Sequence, residues 1–253
     1  MVNYMASAFT DTGTVKKFNQ DSLTVQIAEN NNQKILMAVL CDGMGGYSCG
    51  EITSASLIYA FSKWFAMELP VYIKENHEIS CNYIKSAWSG IIAQQNEKII
   101  KYSKSKNIIT GTTVTGILIY DDLSYVIINI GDSRVYFIGD DIKQMTVDHS
   151  AVNFFTEEEM KKNNYSLNAL VKCVGIYENA VPDFFTGKLK SSTNVLLCSD
   201  GFRNRLSDNE IYQLFNIHNC FSENIIKNNI ISAIETVKKR GERDNISAAV
   251  ISF

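Results

Sequence analysis

The sequence contains little proline, which bears first on its domain organisation. Pro70 and Pro182 are the two prolines in 253 residues, and there is no Pro-rich linker, low-complexity tract or internal repeat. With 45% hydrophobic residues the chain can bury a large core, and sheet-rich chains of this length often form one unit. We therefore predict a single domain over residues 1–253.

A strong charge of one sign is also missing. The chain has 24 basic and 27 acidic residues, a formal net charge of −3, and no basic block or basic–aromatic stripe. Nucleic-acid binding is therefore not expected. No apolar run approaches the roughly 18 residues that cross a bilayer, and Met1 to Thr10 lack a signal-like apolar core. These features predict a soluble, cytoplasmic protein without a membrane partner, and we expect it to be a monomer.

Cysteine and histidine occur without the spacings that carry chemistry. The six cysteines form no Cys-x-x-Cys pair and have no histidine at ligand spacing, which argues against a zinc site and against a secreted disulfide framework. They are predicted to be reduced thiols. The three histidines, His77, His149 and His218, leave little material for a histidine-based nucleophilic mechanism.

Acidic residues recur at the borders of apolar, strand-like runs. Such runs, bounded by turn residues, predict buried strands. Carboxylates gathered at strand ends repel one another unless a counter-ion neutralises them, and a site made of oxygen atoms suits Mg²⁺ or Mn²⁺. A single Asp-Gly pair is more simply a tight turn, but the repetition favours a shared site. The acids in this setting are Asp42, Asp132, Asp200 and Asp244.

Apolar periodicity predicts helices and strands in irregular alternation. The predicted helices cover residues 50–69, about 79–102 and about 222–239. The first is predicted to end at Pro70. Ser207 and Glu210 fit a capping box that begins a further short helix. The predicted strands that follow the first two helices cover residues 113–120, 124–130, 134–138 and 194–199.

Residues 151–182 have only scattered apolar positions. A long, weakly patterned insertion between segments that carry candidate site residues is often a flap that closes over a site. A solvated surface excursion with a helix over residues 156–163 explains the composition equally well. Both interpretations stay open at the level of sequence.

Short motifs around the acids follow one another in a characteristic order. Each motif is weak alone, but seven of them span nearly the whole chain. With them the sequence resembles the metal-dependent Ser/Thr protein phosphatases of type 2C, the PPM family, in its bacterial form. The motifs are Gly13-Thr14-Val15-Lys16-Lys17-Phe18-Asn19-Gln20-Asp21-Ser22, Asp42-Gly43-Met44-Gly45-Gly46 with Gly50-Glu51, Gly111-Thr112-Thr113, Gly131-Asp132-Ser133-Arg134, Thr146-Val147-Asp148-His149-Ser150, Ser199-Asp200-Gly201 and Arg243-Asp244-Asn245-Ile246-Ser247.

The resemblance implies a fold and a metal centre. The fold is α+β, a four-layer α-β-β-α sandwich in which two antiparallel sheets are flanked by helices and the metal centre lies at one end. Two Mn²⁺ or Mg²⁺ ions are implied, with a third, weaker ion held by Asp132 and Asp200. The implied metal ligands are Asp21, Asp42, Gly43 through its carbonyl, Asp132, Asp200 and Asp244.

The resemblance also implies a role for each ligand. Asp42 bridges the two main ions and, with Asp200, is catalytic. Asp244 completes the shell of the ion that Asp200 binds, Gly43 serves the other ion, and Asp21 holds a bound water. Two divalent ions about 4 Å apart clamp the attacking and leaving oxygens and lower the pKa of a bridging water to about 7. The implied nucleophile is therefore a metal-bridging hydroxide, without a covalent enzyme intermediate.

The chain departs from the family pattern at three positions. Lys16 stands where the family usually has a phosphate-binding Arg, so we predict that Lys16 binds phosphate and is catalytic, with Lys17 as the alternative if the register shifts by one residue. Gln20 replaces the Glu of many members and is an outer-shell candidate. Met44 stands where some members have a His general acid, and His149 is the other candidate donor.

The implied activity is hydrolysis of phosphoserine and phosphothreonine in phosphorylated protein substrates, within the pathway of a cognate Ser/Thr kinase. Two alternatives stay open. The departures at Lys16 and Gln20 allow a catalytically weakened member that acts as a regulatory phosphoprotein-binding module. The composition of residues 151–182 does not exclude a small-molecule phosphatase.

Overall fold

The secondary structure comes from a computed structural model that describes residues 4–29, 33–45, 49–76, 78–120, 123–167 and 169–253. Its strands are β1 Met5–Asp11, β2 Asp21–Glu29, β3 Lys34–Gly45, β4 Thr110–Thr112, β5 Val114–Tyr120, β6 Ser124–Ile130, β7 Arg134–Ile138, β8 Ile142–Gln144, β9 Asp183–Lys188, β10 Asn194–Cys198 and β11 Ile246–Ser252. Its α-helices are α1 Gly50–Lys63, α2 Leu69–Asn76, α3 Cys81–Lys106, α4 Ala151–Phe154, α5 Glu157–Asn163, α6 Asp200–Arg203, α7 Asp208–Phe215 and α8 Glu223–Lys239.

The strands form two antiparallel sheets. The first sheet has the order β1-β11-β10-β7-β8, and the second has the order β2-β3-β5-β6-β9, with β4 pairing alongside the end of β3. In the first sheet, β1 and β11 pair along their whole length, from Met5 opposite Ser252 to Asp11 opposite Ile246. The strands nearest the two ends of the sequence therefore lie side by side.

Three apolar clusters hold the layers together. One lies between the two sheets and includes Leu36 and Ile127 from the second sheet and Val195 from the first. Another packs the outer face of the second sheet against α1 and α3, and a third packs the outer face of the first sheet against α7 and α8. The layers therefore run helix, sheet, sheet, helix, which confirms the predicted four-layer α-β-β-α sandwich.

Strand β3 illustrates why its sequence is continuously apolar. Met37 and Val39 point to the helices outside the sheet, whereas Leu36 and Ala38 point to the layer between the sheets. A strand that is covered on both faces needs apolar residues at every position rather than at alternate ones. The run before Asp42 is therefore a central strand, as predicted.

Most predicted helices lie where the sequence places them. The second runs from Cys81 to Lys106 and ends at Asn107, whose positive φ of 53° is the left-handed conformation common at helix ends. The third runs over Glu223–Lys239. The predicted capping box is present, because Ser207 accepts a hydrogen bond from the Glu210 N–H and the Glu210 side chain returns one.

The predicted end of the first helix at Pro70 is wrong. Helix α1 passes through a π-helical turn over Trp64–Glu68 directly into α2, and Pro70 lies in the first turn of α2. Proline lacks an N–H, but residues in the first turn of a helix need no intrahelical donor. The π turn, in which Leu69 N–H donates to the Trp64 carbonyl, shifts the hydrogen-bond register just before the proline.

Asp42 does not end its strand, although the apolar run ends there. Strand β3 continues to Gly45 because β4 pairs with its last residues, Gly43 opposite Thr112 and Gly45 opposite Thr110. Asp42-Gly43 is therefore not a hairpin turn, and Asp200-Gly201 instead opens α6. Only Asp132 lies in a turn between strands, the one that joins β6 to β7.

Residues 151–182, apart from residue 168, which lies outside the described part, contain α4 and α5 and longer irregular stretches. Helix α5 is the helix predicted over 156–163, with Thr156 as its N-cap. Val174 forms two backbone hydrogen bonds of 2.9 Å with Thr112, the β4 residue that pairs with Gly43 of β3. The insertion is therefore attached at the edge where the candidate site lies. No helix of the described residues is long and apolar enough to cross a membrane.

Candidate metal centre

The candidate centre forms where the two sheets meet at one end of the sandwich. Asp21, the first residue of β2, lies opposite Asp42 in β3. Asp200 follows β10 and Asp244 precedes β11, and these two strands are neighbours in the first sheet. Ser247 in β11 donates a 2.6 Å hydrogen bond to Asp21 Oδ2 and so links the first sheet to the second. The sandwich thus brings together four acids that are far apart in the sequence.

The backbone around Asp42 is fixed by the Gly111-Thr112-Thr113 motif. The Asp42 N–H donates to Thr113 Oγ1, and the Asp42 carbonyl accepts from the Thr113 N–H and from Thr112 Oγ1, all at 2.9 Å. These bonds hold the strand on both sides of the carboxylate. The motif therefore positions Asp42 without contributing a charged group.

Glycine is required at two positions of the centre because other backbone segments pass very close. A Cβ atom on Gly43 would collide with the carbonyl oxygens of Gln20 and Gly50, and one on Gly201 would collide with the carbonyl of Asn245. The Gly43 N–H also donates to the Gln20 carbonyl at 3.0 Å. These close approaches let the segments that carry the acids converge.

The loop that carries Lys16 is held by Asn245, a residue to which the sequence analysis gave no role. The buried Asn245 side chain donates to the carbonyls of Thr12 at 2.9 Å and Phe18 at 3.1 Å, and accepts from the Gln20 N–H at 2.9 Å. One amide thus fixes both ends of the loop beside Asp244. Its place directly after Asp244 in the last motif was the available signal.

The carboxylates face one another in a buried environment. Burial raises the pKa of Asp42 well above its ordinary value, and the charges of Asp21 and Asp200 raise it further. Burial also raises the pKa of Asp21 to about 7, with the Ser247 hydrogen bond acting in the opposite direction. The pKa of Asp200 is raised by burial and then by Asp244. The raised pKa values of Asp21, Asp42 and Asp200 mean that a further cation is needed to keep these three carboxylates ionised together at neutral pH.

Among the four acids of the centre, two buried carboxylate oxygens lack a hydrogen-bond partner. Asp21 Oδ1 and Asp200 Oδ1 have none, although buried polar atoms are normally hydrogen-bonded. Within the described residues, no three acidic, imidazole or thiol side chains are already close enough to hold an ion by themselves. Mg²⁺ binds through one or two carboxylates, keeps several waters and accepts only oxygen ligands, so it suits this open arrangement. The residues therefore fit a divalent cation centre.

Lys16, not Lys17, lies beside the acids. Lys16 Nζ is 2.8 Å from Asp244 Oδ1, whereas Lys17 Nζ lies over the ring of Phe18. Burial lowers the pKa of Lys16, but the hydrogen bond and charge of Asp244 outweigh it, so the pKa is raised overall. Lys16 therefore stays protonated and brings one positive charge to the centre.

Gln20 lies on the side of the centre formed by the end of β3. Its side-chain amide donates to the Gly45 carbonyl at 3.4 Å and lies next to Gly50. The amide is neutral, so Gln20 adds no charge to this side of the centre. Gly46, the last residue of the Asp42 motif, lies outside the described residues.

Asp132 is close enough to Asp200 to feel its charge, and it also lies beside an arginine. Arg203 Nη2 is 4.0 Å from Asp132 Oδ2 and donates to the Asp132 carbonyl at 3.3 Å. The pKa of Asp132 is raised to about 7, mainly by burial and then by the charge of Asp200, while Arg203 acts in the opposite direction. The sequence analysis missed Arg203, whose only signal was its position three residues after Asp200 on α6.

A second buried ion pair adjoins this arginine. Asp148 accepts a forked pair of hydrogen bonds from Arg134, at 2.9 Å from Nε and 2.7 Å from Nη2, and one from Arg203 at 3.3 Å. Gln144 donates to the same carboxylate at 3.0 Å. Arg134 and Asp148 both belong to quoted motifs, but their pairing depends on the turn between β7 and β8. We call Asp132, Arg203, Asp148 and Arg134 the Asp132 corner.

His149 is buried and has a partner on each ring nitrogen. Nδ1 accepts from the Gly131 N–H at 3.0 Å, and Nε2 lies 3.0 Å from Asp183 Oδ2. Lys172 also pairs with Asp183, at 3.1 Å. Burial lowers the pKa of His149, and Asp183 partly opposes this. These contacts tie the insertion to the turn that carries Asp132. Met44 has no acid–base group, and its carbonyl accepts from Thr110 at 3.0 Å.

The chain is similar to known phosphatases over nearly its full length. The sequence model of the family described as Protein phosphatase 2C matches residues 13–234. The protein phosphatase PhpP of Streptococcus pneumoniae is 28% identical over 255 residues, 98% of this chain and 96% of that protein. The serine/threonine phosphatase stp of Listeria innocua is 26% identical over 249 residues, 96% of this chain and 93% of that protein.

Solved structures agree. The serine/threonine phosphatase of S. agalactiae superposes with a TM-score of 0.79 at 25% identity and covers 99% of both chains. The serine/threonine phosphatase Stp1 from Staphylococcus aureus superposes with a TM-score of 0.75 at 29% identity and covers 98% of this chain and 94% of its own. With its sandwich, its converging acids and a family match over most of its length, this chain belongs to the protein phosphatase 2C family.

Proposed function

We propose that the chain is a divalent-cation-dependent phosphatase that hydrolyses phosphoserine and phosphothreonine in proteins. The observation that carries the proposal is the convergence of four carboxylates around one lysine: Asp21 is buried, Asp42 and Asp200 are half-buried, and Asp244 is paired with Lys16. Relatives that match over more than nine-tenths of the chain are named serine/threonine phosphatases. Substrates of this kind are products of a Ser/Thr kinase, so a cognate kinase belongs to the same pathway.

The proposed ligands are residues that the fold gathers at one end of the sandwich. Asp42 lies between the acids of both sheets and would be shared by two Mn²⁺ or Mg²⁺ ions. Asp200 and Asp244, on neighbouring strands of the first sheet, would hold one ion, and the carbonyl of Gly43 would hold the other. Asp21 would orient bound water. Such ions supply positive charge to the phosphoryl oxygens and lower the pKa of coordinated water.

The residues around the ligands have supporting roles in this proposal. The neutral amide of Gln20 lies next to the Gly43 side and would contact the outer shell there. Asn245 and Ser247 fix the loop and the carboxylate of Asp21 before substrate arrives. A preorganised centre of this kind reduces the reorganisation that the reaction requires.

Lys16 is the proposed phosphate-binding group. Its ammonium has three donors, one of which is directed at Asp244, so the others can reach a phosphoryl oxygen. The hydrogen bond from the Asn245 side chain to the Thr12 carbonyl helps to fix the loop that carries Lys16. Because lysine is a point charge without the fork of arginine, it would hold the phosphoryl group with less control of orientation.

We further propose that residues 1–253 act as one catalytic domain, with residues 151–182 as its flap. The pairing of β1 with β11 and the layer shared by both sheets support a single unit. The contacts of Val174 with Thr112 and of Lys172 with Asp183 support a flap that is attached beside the centre. A third ion beside Asp132 is the one part of the implied centre that the surrounding charges disfavour.

The proposal is tested by phosphate release from a phosphothreonine peptide with Mn²⁺, with Mg²⁺ and with excess chelator. Asp200→Asn is the test variant, and Asp140→Asn, an exposed acid in the turn before β8, is its matched control. Release that requires the cation and is lost in Asp200→Asn alone supports the proposal. Equal rates in chelator, or an active Asp200→Asn variant, would contradict it.

The same assay separates the alternatives. Cation binding by calorimetry without phosphate release from any peptide would favour a weakened family member that binds phosphoproteins. Rapid release from small phosphate monoesters with none from phosphopeptides would favour a small-molecule phosphatase. Both readouts use the unmodified chain.

A further inference from the structure

The starting point is the position of Arg203. This residue lies three positions after Asp200 on the short helix α6. While Asp200 faces the candidate centre, the Arg203 guanidinium lies between two buried carboxylates, 4.0 Å from Asp132 Oδ2 and 3.3 Å from Asp148 Oδ2. Its side chain is 16% exposed, and its Nε is buried without a partner. The chain has therefore placed a permanent positive charge at Asp132.

The Asp132 corner contains equal numbers of basic and acidic side chains. Arg203 and Arg134 contribute two positive charges, and Asp132 and Asp148 contribute two negative charges. Arg134 holds Asp148 through a forked pair of hydrogen bonds, which is the strongest common arrangement of this ion pair. Arg203 is therefore the cation nearest to Asp132 in the corner, and when all four groups are ionised the corner has no net charge.

The family resemblance implies a cation at Asp132 and Asp200, which is where the Arg203 guanidinium already lies. A divalent cation at Asp132 would lie within a few ångströms of the Arg203 guanidinium, and like charges at such distances repel strongly away from bulk water. Arg203 cannot lose its charge, because arginine stays protonated in proteins. To admit the ion, the guanidinium would have to leave both carboxylates.

We infer that Arg203 takes the place of a third cation: its guanidinium neutralises Asp132, and the chain binds two divalent ions rather than three. The inference rests on the proposed two-ion centre. Helix α6 then has two roles, because Asp200 at its first position would bind an ion and Arg203 at its last position neutralises Asp132. Activity would reach its maximum in a single phase as the cation concentration rises.

The experiment counts bound Mn²⁺ per chain by electron paramagnetic resonance and by calorimetry. The wild type is compared with Arg203→Ala, which removes the charge, and with Arg203→Lys, which keeps it. We expect two ions for the wild type and for Arg203→Lys, and an additional weaker ion for Arg203→Ala. The added ion should disappear in the double variant Arg203→Ala with Asp132→Asn. An unchanged count of two in a folded Arg203→Ala variant would overturn the inference.

Asp132→Asn in the wild-type background keeps the test valid if Arg203→Ala fails to fold. This nearly isosteric change removes the charge of Asp132, and we expect it to leave the number of bound Mn²⁺ at two. Loss of one ion would show that Asp132 holds a cation despite Arg203, and would refute the inference.

Failure of the proposed function has a different signature. A wild type that binds no Mn²⁺, or that binds it equally after Asp42→Asn, contradicts the two-ion centre itself. A wild type that binds three ions, one of them dependent on Asp132, contradicts only the role of Arg203.

Discussion

Two groups of carboxylates lie at the same end of the sandwich, and the chain pairs them with basic side chains to different degrees. Among the described residues, Lys16 is the ammonium paired with the four acids of the candidate centre, so ionised acids there outnumber it. The Asp132 corner has as many arginines as carboxylates. The comparison supports the proposal that the first group binds cations and the inference that the second does not require them.

The two groups also differ in where their partners come from. Asp21 and Asp42 lie within strands β2 and β3, and Asp200 and Asp244 lie next to strands β10 and β11, so the acids come from separate parts of the chain. In the Asp132 corner, Asp132 and Arg134 belong to one turn and Asp148 to the segment that follows β8. The corner thus holds together mainly through local pairing, and Arg203 is its one distant member.

The largest expected effect is the loss of turnover in Asp42→Asn, which removes one acid from the candidate centre. Asp42 is the proposed shared ligand, so we expect phosphate release to fall at least about a thousand-fold, roughly 4 kcal/mol of transition-state stabilisation. In chelator the same variant should melt at a higher temperature, because folding no longer raises the pKa of a carboxyl group that lies among other acids. Asp140→Asn should change neither value, and near-normal turnover in Asp42→Asn would be incompatible with a shared ligand.

Removing Arg134 tests how much the ion pairs of the Asp132 corner contribute to stability. Arg134→Ala leaves Asp148 buried with fewer partners, and breaking a buried ion pair from one side costs about 3 kcal/mol or more. Unfolding in urea measures the change in the free energy of unfolding. The matched control is Arg240→Ala, because Arg240 pairs with Glu210 where both side chains are about 40% exposed. Exposed pairs contribute at most about 1 kcal/mol, so equal losses in both variants would mean that burial of the corner adds nothing.

The pH dependence of the cation-free protein sharpens the comparison further. The pKa of Asp21 is about 7 in the folded state and 3.8 in its ordinary range, so the folded chain binds more protons than the unfolded chain between these values. The free energy of unfolding in chelator should therefore fall by a few kcal/mol as the pH rises through this window. Melting temperatures measured with chelator and with Mn²⁺ should diverge toward pH 7 and converge at the acid end. A cation-free melting temperature that rises with pH would be contrary to this sign.

The smallest expected effect concerns the single ammonium of the centre. Lys16→Gln should lower kcat/KM about ten- to hundred-fold, since a hydrogen bond to a charged group contributes roughly 1.5–3 kcal/mol. Lys16→Arg should retain activity because it keeps the charge and adds a forked donor. Lys17→Gln is the control, since Lys17 lies over Phe18 rather than at the acids. A larger loss in Lys17→Gln than in Lys16→Gln would shift the proposed phosphate-binding role by one residue.

Local patterns account for much of what was predicted correctly. The continuous apolar run of β3, the periodicity of α3 and α8 and the two capping residues of α7 each depend on near neighbours in the chain, and each prediction is confirmed. The end of the first helix was predicted wrongly because Pro70 was judged from its own chemistry. The π turn before it removes the expected conflict.

The sequence by itself determined the elements, the order of the motifs and the identity of the acids, because periodicity, turn chemistry and residue type are written into short segments. Only the tertiary structure decided which charges meet. The approach of Asp200 to Asp42, of Asn245 to the Lys16 loop and of Arg203 to Asp132 depends on strand pairing across both sheets. Electrostatic interactions act over a few ångströms in space and do not depend on separation along the chain, so the sequence supplied the charges and the sandwich determined their partners.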